Sequence, residues 1–316
     1  MNHDLINAAW DRLQGHVRRT PILSSPALDA IAGRRILVKA ECLQVTGSFK
    51  ARGGWAAVSA LTGAQGVIAY SSGNHAQGVA RAATAHGLPS VIIMPADAPK
   101  AKIDGTRALG GEVVLYDRET EDRDAIGAEI AAARGLVLIK PFDDAQVIAG
   151  QASVGIEIAE ELGDLPADVL VPCGGGGLAS GIALALSARA PQMRVRTAEP
   201  EGFDDAARSL LAGHPVKNAS LGGSICDAIL TPSPGALTFP ILQSYAQAGL
   251  VVTEDQVLRA MAMALKHLKI VVEPGGAVGL AAALFQPQAF DTDTVIAVAS
   301  GGNVDPAILA RAVALM

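Results

Sequence analysis

The chain has 316 residues, enough to bury the core of one large domain or two ordinary ones, and its formal net charge is −6. Half of the residues are hydrophobic, only 3% are aromatic and 34 are glycine, which is typical of an α/β protein with many close turns between strands and helices. The acidic balance, without a basic stripe, argues against a nucleic-acid-binding surface.

The cysteines indicate a reducing compartment. Cys42, Cys173 and Cys226 are odd in number and far apart, so they suggest neither a disulfide framework nor a Cys-x-x-Cys metal pair. The first residues show no secretory signal, and no window approaches the roughly 18 consecutive apolar residues of a membrane span. We therefore expect a cytoplasmic protein with no membrane partner.

Short apolar runs alternate with helix-length segments along nearly the whole chain. Strands are predicted at residues 36–39, 67–70, 90–94, 112–115, 136–139, 169–171, 193–198 and 295–299. Ala- and Leu-rich stretches with helical spacing, such as 76–85 and 257–268, lie between them. This alternation predicts an α/β fold with mostly parallel sheets and helices on both faces.

Residues 67–139 hold four of the predicted strands and the helices between them, so this stretch is self-contained. It predicts a smaller domain, residues 57–143, inserted into a large domain made of residues 1–56 and 144–316. No linker marks the two boundaries, so the sequence places them only to within several residues.

The first motif with chemical potential is TGSFKARGG, residues 46–54. Lys50 stands at the predicted start of a helix, where the positive end of the helix dipole disfavours a protonated amine. A neutral amine can attack an aldehyde to form a Schiff base. The alternative is a solvated lysine in the first turn of an ordinary helix.

The second motif is SSGNHAQG, residues 71–78, directly after a predicted strand. Ser71, Ser72 and Asn74 bring side-chain polar groups to the start of a helix, whose backbone N–H groups can bind a carboxylate. The alternative is simple capping of that helix by Ser or Asn. His75 alone is more typical of a structural histidine than of a base.

The third motif is CGGGGL, residues 173–178, between a predicted strand and a predicted helix. Four consecutive glycines lose much backbone entropy on folding, so a bare backbone is needed there, and a phosphate cradled by N–H groups explains that need. The competing hypothesis is a dinucleotide site, with Glu199 on the ribose of a nicotinamide cofactor. That fingerprint is incomplete, because Ser180 replaces its third glycine.

The fourth motif is VASGGN, residues 298–303, where an apolar strand ends in Ser300 and two glycines. By itself it is an ordinary exit from a strand into a loop. Taken together, in this order and at these separations, the four motifs resemble the fold-type II pyridoxal-phosphate enzymes, of the tryptophan synthase β-like fold. The resemblance extends from about Arg19 to Asn303 and is nearest to the threonine dehydratase and serine racemase group.

The resemblance implies a role for each matching residue. Lys50 becomes the Schiff-base lysine and the base that removes the α-proton, with Phe49 beside the cofactor ring, and Ser72 becomes a second catalytic residue on the opposite face. The phosphate loop is implied to be Gly174, Gly175, Gly176, Gly177 and Leu178. The substrate carboxylate is implied to meet Ser71, Ser72, Asn74 and His75, with Asn74 also near the phenolic oxygen of the cofactor and Ser300 on the pyridine nitrogen.

Some relatives of this kind also bind a divalent cation. Glu199, the carbonyl of Phe203 and Asp205 align with its ligands, and two carboxylates with a carbonyl suit Mg²⁺ or Ca²⁺. The alternative is an acidic start to a helix, which favours the same residues.

The resemblance implies an ammonia-lyase that converts L-threonine or L-serine to a 2-oxo acid and ammonia. The residues after Lys50, Ala51-Arg52-Gly53, and the PFD sequence at 141–143 favour this dehydratase activity. Serine racemase and 3-hydroxyaspartate ammonia-lyase are the alternatives within the family, with a nicotinamide oxidoreductase or a non-catalytic binding protein outside it. We expect residues 224–238 to set specificity and the assembly to be a homodimer or homotetramer.

Overall fold

The structure is a computed structural model that describes residues 2–220 and 222–316. It divides into two compact units. Unit 1 comprises the residues up to Val17 together with Lys50–Gly150, and unit 2 comprises Arg18–Phe49 together with Gln151–Met316.

Strands and helices alternate as the sequence predicts. The strands are β1 (Ile22–Ser24), β2 (Arg35–Lys39), β3 (Val67–Tyr70), β4 (Ser90–Pro95), β5 (Glu112–Tyr116), β6 (Val137–Leu138), β7 (Ala167–Pro172), β8 (Met193–Pro200), β9 (Ala246–Val252) and β10 (Thr294–Val298). The helices are α1 (His3–Leu13), α2 (Pro26–Ala32), α3 (Lys50–Ser59), α4 (Asn74–Ala85), α5 (Lys100–Ala108), α6 (Arg123–Arg134), α7 (Ala145–Leu162), α8 (Gly177–Arg189), α9 (Asp205–Ala212), α10 (Thr238–Tyr245), α11 (Glu254–Met263), α12 (Pro274–Phe285) and α13 (Pro306–Val313).

Unit 1 contains a parallel sheet with the strand order β5-β4-β3-β6. Its two central strands, β3 and β4, are almost entirely buried and rich in Val and Ile, as expected for parallel strands covered on both faces. Hydrophobic clusters on the two sides of the sheet bury Trp55 with α4 in one and Ile68 with Tyr116 in the other.

Unit 2 contains a sheet with the order β1-β2-β10-β7-β8-β9, in which only β1 runs antiparallel to its neighbour among the described strands. The strands β10, β7 and β8 lie side by side, so the loops that follow them leave the same edge of the sheet. One cluster packs α8 against the sheet and another packs α12 against it. The α/β class with mostly parallel sheets is therefore confirmed.

Two strands do not appear among the predicted ones. β1 has three residues and pairs only with β2, and β9 is a half-exposed edge strand with the sequence AQAGLVV. Neither has the apolar run or the alternation that marks a strand in sequence. The helix predicted at 257–268 is also modified, because α11 ends at Met263 and continues as a π-helical turn over Ala264–Leu268.

The two units divide the chain at other positions than the domain limits expected at 57 and 143. The whole of α3 belongs to unit 1, because α3 packs against α4 and α1. The domain assignment itself stays a prediction. None of the helices in the described part of the chain combines the length and apolar character needed to cross a membrane.

Candidate active site

Lys50 is the first residue of α3, as predicted, and its side chain is partly buried. The Nζ atom donates a hydrogen bond to the carbonyl oxygen of Pro141 at 2.5 Å. Desolvation lowers the pKa of Lys50 from its ordinary 10.5 to about 8. A much larger fraction of this amine is neutral at physiological pH than in an exposed lysine. Burial is the cause of this shift.

Two glycines bring Lys50 close to the start of α4. A Cβ placed on Gly78 of α4 would lie 2.7 Å from the carbonyl oxygen of Lys50, and one on Gly54 would lie 2.8 Å from the backbone of Gly78. The helices α3 and α4 therefore touch backbone to backbone, which only glycine permits. This contact fixes the position of Lys50 relative to the loop that precedes α4.

That loop, residues 71–73, begins helix α4 without a side-chain cap. Its N-cap residue is Gly73, which has no side chain to cap the helix. The hydroxyl of Ser71 instead accepts a hydrogen bond from the N–H of Gly73 at 3.2 Å. The N-cap position itself is therefore occupied by neither Ser nor Asn. The helix presents its first N–H groups and a positive dipole end, the arrangement that binds anions.

The side chain of His75 is buried in the protein interior. Its Nε2 atom lies 2.9 Å from the carbonyl oxygen of Ile139, which can only accept, so Nε2 carries the proton. Desolvation, and then the charge of Lys50, lower the pKa of His75 to about 3. The imidazole is neutral and anchors α4 to the chain after β6. Because its side chain is engaged in the interior, His75 can bind a carboxylate only through its backbone N–H.

In unit 2 the glycine run follows β7 and forms the start of α8. Gly176 is the N-cap with φ +91°, again with no side-chain cap, and the first hydrogen bond of the helix runs from the N–H of Ser180 to the Gly176 carbonyl oxygen. The N–H groups of Gly177 and Leu178 therefore have no partner within the helix. A Cβ on Gly174 would lie 3.1 Å from the backbone of Ile229. The bare backbone predicted from sequence is therefore needed at Gly174 because of close packing and at Gly176 because of its left-handed conformation.

Ser300 leaves the same edge of the unit 2 sheet, one strand away. The register of β10 with β7 pairs Ala297 with Leu170, which puts Ser300 level with Cys173. Ser300 is buried, and its carbonyl oxygen accepts from the N–H of Phe49 at 3.1 Å. Phe49 and Ser300, both expected to touch one cofactor, are thus neighbours.

Glu199 and Asp205 form a buried acidic pair. Both oxygens of Glu199 accept from N–H groups at the start of α9, those of Ala206 at 2.9 Å and Ala207 at 2.7 Å. One oxygen of Asp205 accepts from Asn218, and the other is buried without a hydrogen-bond partner. Desolvation and mutual repulsion raise the pKa of Glu199 well above its usual value, and burial raises the pKa of Asp205 to about 6.

This arrangement agrees with both hypotheses made for the acidic residues. Glu199 caps α9, as the helix-start hypothesis requires. The unpartnered Asp205 oxygen and the raised pKa values of both carboxyls show that the charged pair is poorly stabilised, and a bound cation would stabilise it. Phe203, the third expected ligand, would contribute only its backbone carbonyl; its side chain is buried. No group of three or more His, Cys, Asp or Glu side chains in the described parts of the chain could hold a metal. The cation site stays a prediction.

Comparison with known proteins gives one consistent result. The family model described as "Pyridoxal-phosphate dependent enzyme" matches residues 13–301. L-threo-3-hydroxyaspartate ammonia-lyase of Pseudomonas sp is 43% identical over 96% of this chain and 95% of its own, and serine racemase of Arabidopsis thaliana is 39% identical over 95% and 92%. The crystal structure of a threonine deaminase from T.th. superposes with a TM-score of 0.91 at 42% identity, covering 96% of this chain and 99% of its own.

The chain therefore belongs to the family of pyridoxal-phosphate-dependent enzymes. Within it, the chain is a fold-type II member whose relatives are serine racemases, threonine ammonia-lyases and hydroxyaspartate ammonia-lyases. The resemblance drawn from the four motifs is confirmed, and the nicotinamide hypothesis is wrong. Glu199 could not have bound a ribose, because it is fully buried with both oxygens on backbone N–H groups.

The residues of this chain fit the cofactor in each unit. In unit 1, Lys50 offers a desolvated amine with a lowered pKa, as a lysine that reacts with an aldehyde requires. In unit 2, the start of α8 offers uncapped N–H groups in a turn where a Cβ on Gly176 would lie 2.9 Å from the Thr238 hydroxyl. An anionic phosphate matches that set of donors.

Two neighbours of the site could not be found from the motifs. Pro141, whose carbonyl accepts the hydrogen bond of Lys50, is 91 positions away from Lys50 in the sequence. Thr238, which contacts the glycine loop at Gly175, is 63 positions away from Gly175. The sequence carried a faint signal for each. Pro141 belongs to the PFD sequence, and Thr238 closes the segment 224–238 that was expected to set specificity.

Proposed function

We propose that the protein is a pyridoxal-phosphate-dependent ammonia-lyase, which removes the β-hydroxyl of a small β-hydroxy amino acid and releases a 2-oxo acid and ammonia. The observation that carries the proposal is the Lys50 amine, held on the carbonyl of Pro141 with a pKa of about 8. Such an amine is a competent base near neutral pH, and the family membership supplies its partner cofactor.

Each unit offers residues for the cofactor. Lys50 and Asn74 of unit 1 would meet its aldehyde and phenolic oxygen. In unit 2, Phe49 would pack beside the ring, the N–H groups of Gly174–Gly177 and Leu178 would bind the phosphate, and Ser300 would face the ring nitrogen. When bound, pyridoxal phosphate supplies an electron sink for the charge that forms when the α-proton leaves.

Lys50 takes the α-proton of the substrate, since its amine is the desolvated base of unit 1 with a pKa near physiological pH. The substrate carboxylate lies on the uncapped start of α4, where Ser71 and Asn74 add polar groups to the backbone donors. Ser300 is a neutral hydroxyl, so it would leave the ring nitrogen of the bound cofactor unprotonated. Such a cofactor would favour loss of a β-substituent over transamination.

The named relatives support the reaction class and leave the substrate open. One is a hydroxyaspartate ammonia-lyase and one a threonine deaminase, so the names of both give a β-hydroxy amino acid as substrate and the loss of ammonia as the reaction. L-serine, L-threonine and L-threo-3-hydroxyaspartate are accordingly the three candidate substrates. Racemisation of serine is the second candidate function, because another relative is a serine racemase. Ser72 would serve it by returning a proton to the face opposite Lys50.

The deciding experiment feeds each of the three candidates to the holoenzyme and measures 2-oxo acid and ammonia, with D-serine measured in parallel. We expect 2-oxo acid to exceed D-serine. D-serine in excess would make the racemase the correct assignment, and neither product would reject both.

Two variants tie the result to the proposed base. Lys50→Ala should abolish product formation, whereas Lys100→Ala, which removes an exposed lysine of the same unit, should leave it unchanged. Circular dichroism of both variants shows whether the fold is retained.

A further inference from the structure

Thr238 is a buried residue that none of the proposed catalytic steps uses, and it contacts the glycine loop directly. Its hydroxyl donates to the carbonyl oxygen of Gly175 at 2.6 Å and accepts from the N–H of Gly235 at 2.9 Å. The N–H of Gly235 lies 3.2 Å from the same Gly175 oxygen. The carbonyl of Gly175 is therefore held by two groups from the segment that leads into α10.

The peptide unit between Gly175 and Gly176 is held through its carbonyl oxygen, which accepts from both Thr238 and Gly235. In a trans peptide the carbonyl and the N–H lie in one plane and point in opposite directions, so two donors on the carbonyl also restrict the direction of the Gly176 N–H. Because Gly176 then turns into α8 with φ +91°, the plane of this peptide sets the direction of the N–H groups that follow.

The contact is specific to a hydroxyl at position 238. A Cβ on Gly176 would lie 2.9 Å from the Thr238 Oγ1 atom and 3.0 Å from its Cβ, so the side chain of Thr238 lies against the turn itself. Its main chain is also tied to α8, because the Ser180 hydroxyl donates to the Thr238 carbonyl oxygen at 3.2 Å. Valine would have the shape of threonine but could neither donate to Gly175 nor accept from Gly235.

We propose that Thr238 is a positioning residue for the cofactor phosphate: its hydroxyl holds the Gly175 carbonyl away from the anion and thereby aims the N–H groups of Gly177 and Leu178 at it. The inference rests on the proposed role of the glycine loop. It gives Gly235 and Thr238 a part in binding the cofactor, beyond the specificity role expected from sequence for residues 224–238.

Comparing the affinities for pyridoxal phosphate and for pyridoxal distinguishes a role in phosphate binding from a general loss of structure. Pyridoxal has the same ring and aldehyde but lacks the phosphate, so only the phosphate compound uses the glycine loop. The experiment titrates the apoprotein with each compound, follows the visible absorbance of the bound form, and takes the ratio of the two dissociation constants. A third titration uses inorganic phosphate alone, read by its protection of the apoprotein against thermal unfolding.

Thr238→Val should weaken binding of pyridoxal phosphate by about tenfold to a hundredfold, since the Gly175 carbonyl loses the shorter of its two hydrogen bonds, and leave pyridoxal binding nearly unchanged. Protection by inorganic phosphate should fall in parallel. Thr238→Ser restores the hydroxyl and should restore the preference for the phosphate compound. Ser180→Ala removes a bond between the same two helices while leaving Gly175 partnered, and should keep the wild-type ratio.

Two results would overturn the inference: an unchanged ratio in Thr238→Val, or an equal loss of affinity for both compounds, which a merely structural role would give. A failure of the proposed function has a different signature. In that case the wild-type apoprotein would bind neither compound at Lys50, whatever residue stands at position 238.

Discussion

In both units a parallel strand ends in a glycine-containing turn and a helix starts without a side-chain cap. In unit 1, α4 begins after Gly73, and in unit 2, α8 begins after Gly176. Both helix starts have the donors and the dipole for an anion. They differ in what surrounds the donors. The turn of unit 1 carries hydroxyls, an amide and the nearby amine of Lys50, whereas the turn of unit 2 is bare backbone.

The difference indicates two ways of holding an anion. In unit 1 the polar side chains can take part in chemistry, and helix packing through Gly54 and Gly78 sets their position. In unit 2 the donors are all main chain, so the direction of each peptide plane matters, and Thr238 fixes one of them. Side-chain substitutions should therefore change the reaction in unit 1, and changes in backbone support should change cofactor affinity in unit 2.

Apart from the loss of Lys50 itself, the largest expected effect is that of Ser72→Ala on serine racemisation. If Ser72 returns a proton to Cα, D-serine formation should fall by about 10²- to 10⁴-fold, the usual contribution of a general acid. Elimination should fall much less, because Lys50 removes the α-proton. The measurement is the ratio of D-serine to pyruvate for wild type and variant. An equal loss of both products would make Ser72 a binding residue instead.

The next effect tests the helix contact of unit 1. Gly78→Ala would push a Cβ to 2.7 Å from the Lys50 carbonyl oxygen, and overpacking of this kind destabilises by about 1–3 kcal/mol. The matched control is Gly105→Ala in α5, where the nearest atom lies at 3.7 Å. There alanine should stabilise by about 0.5–1 kcal/mol, because glycine is a poor helix former.

Denaturant unfolding of the two apoproteins measures both changes. Activity of the holoenzymes should fall for Gly78→Ala and stay at the wild-type level for Gly105→Ala. Equal stabilities for the two variants would mean that α3 and α4 do not depend on backbone contact, and the comparison between the units would lose its basis.

A smaller effect concerns the acidic pair of unit 2. Burial first, and then the nearby carboxylates of Glu199 and Asp205, raise the pKa of the Cys173 thiol, so the acidic pair lies near the glycine loop. Mg²⁺ or Ca²⁺ on this pair would stabilise its charged form. At 100 times its dissociation constant a cation adds about 2.7 kcal/mol of stability, and a shift of that size raises the melting temperature by several degrees.

Thermal unfolding with added Mg²⁺, added Ca²⁺ or EDTA measures the shift. Asp205→Asn, which keeps the size of the side chain but not its charge, should abolish it. A wild-type protein that melts at the same temperature in all three solutions would leave Glu199 with its helix-capping role alone.

The smallest expected effect is a displaced pH profile. Because burial lowers the pKa of Lys50, the neutral fraction of its amine rises through about pH 8 instead of 10.5. The rate at which the apoprotein is labelled at Lys50 by an aldehyde and borohydride should therefore rise with pH and level off above about pH 8. A rate that still increases towards pH 10 would show that the amine is not desolvated.

Much of this account could be predicted from sequence, for reasons visible in particular residues. The central parallel strands appear in the sequence as apolar runs. The glycine loop and Lys50 belong to short motifs in which the space around the backbone and the chemistry require particular residue types. The edge strands β1 and β9 could not be predicted, because little of either is buried. Pro141 and Thr238 could not be predicted either, since their partners are brought to them only by the tertiary fold.

The central claim is a covalent bond between the cofactor aldehyde and the side chain at position 50, and borohydride reduction of the holoenzyme followed by peptide mapping tests it most directly. We predict that the reduced label is recovered on the peptide containing TGSFK, at Lys50, and that Lys50→Ala yields none. Recovery of the label at another lysine, or of no label from the wild-type protein, would contradict the account.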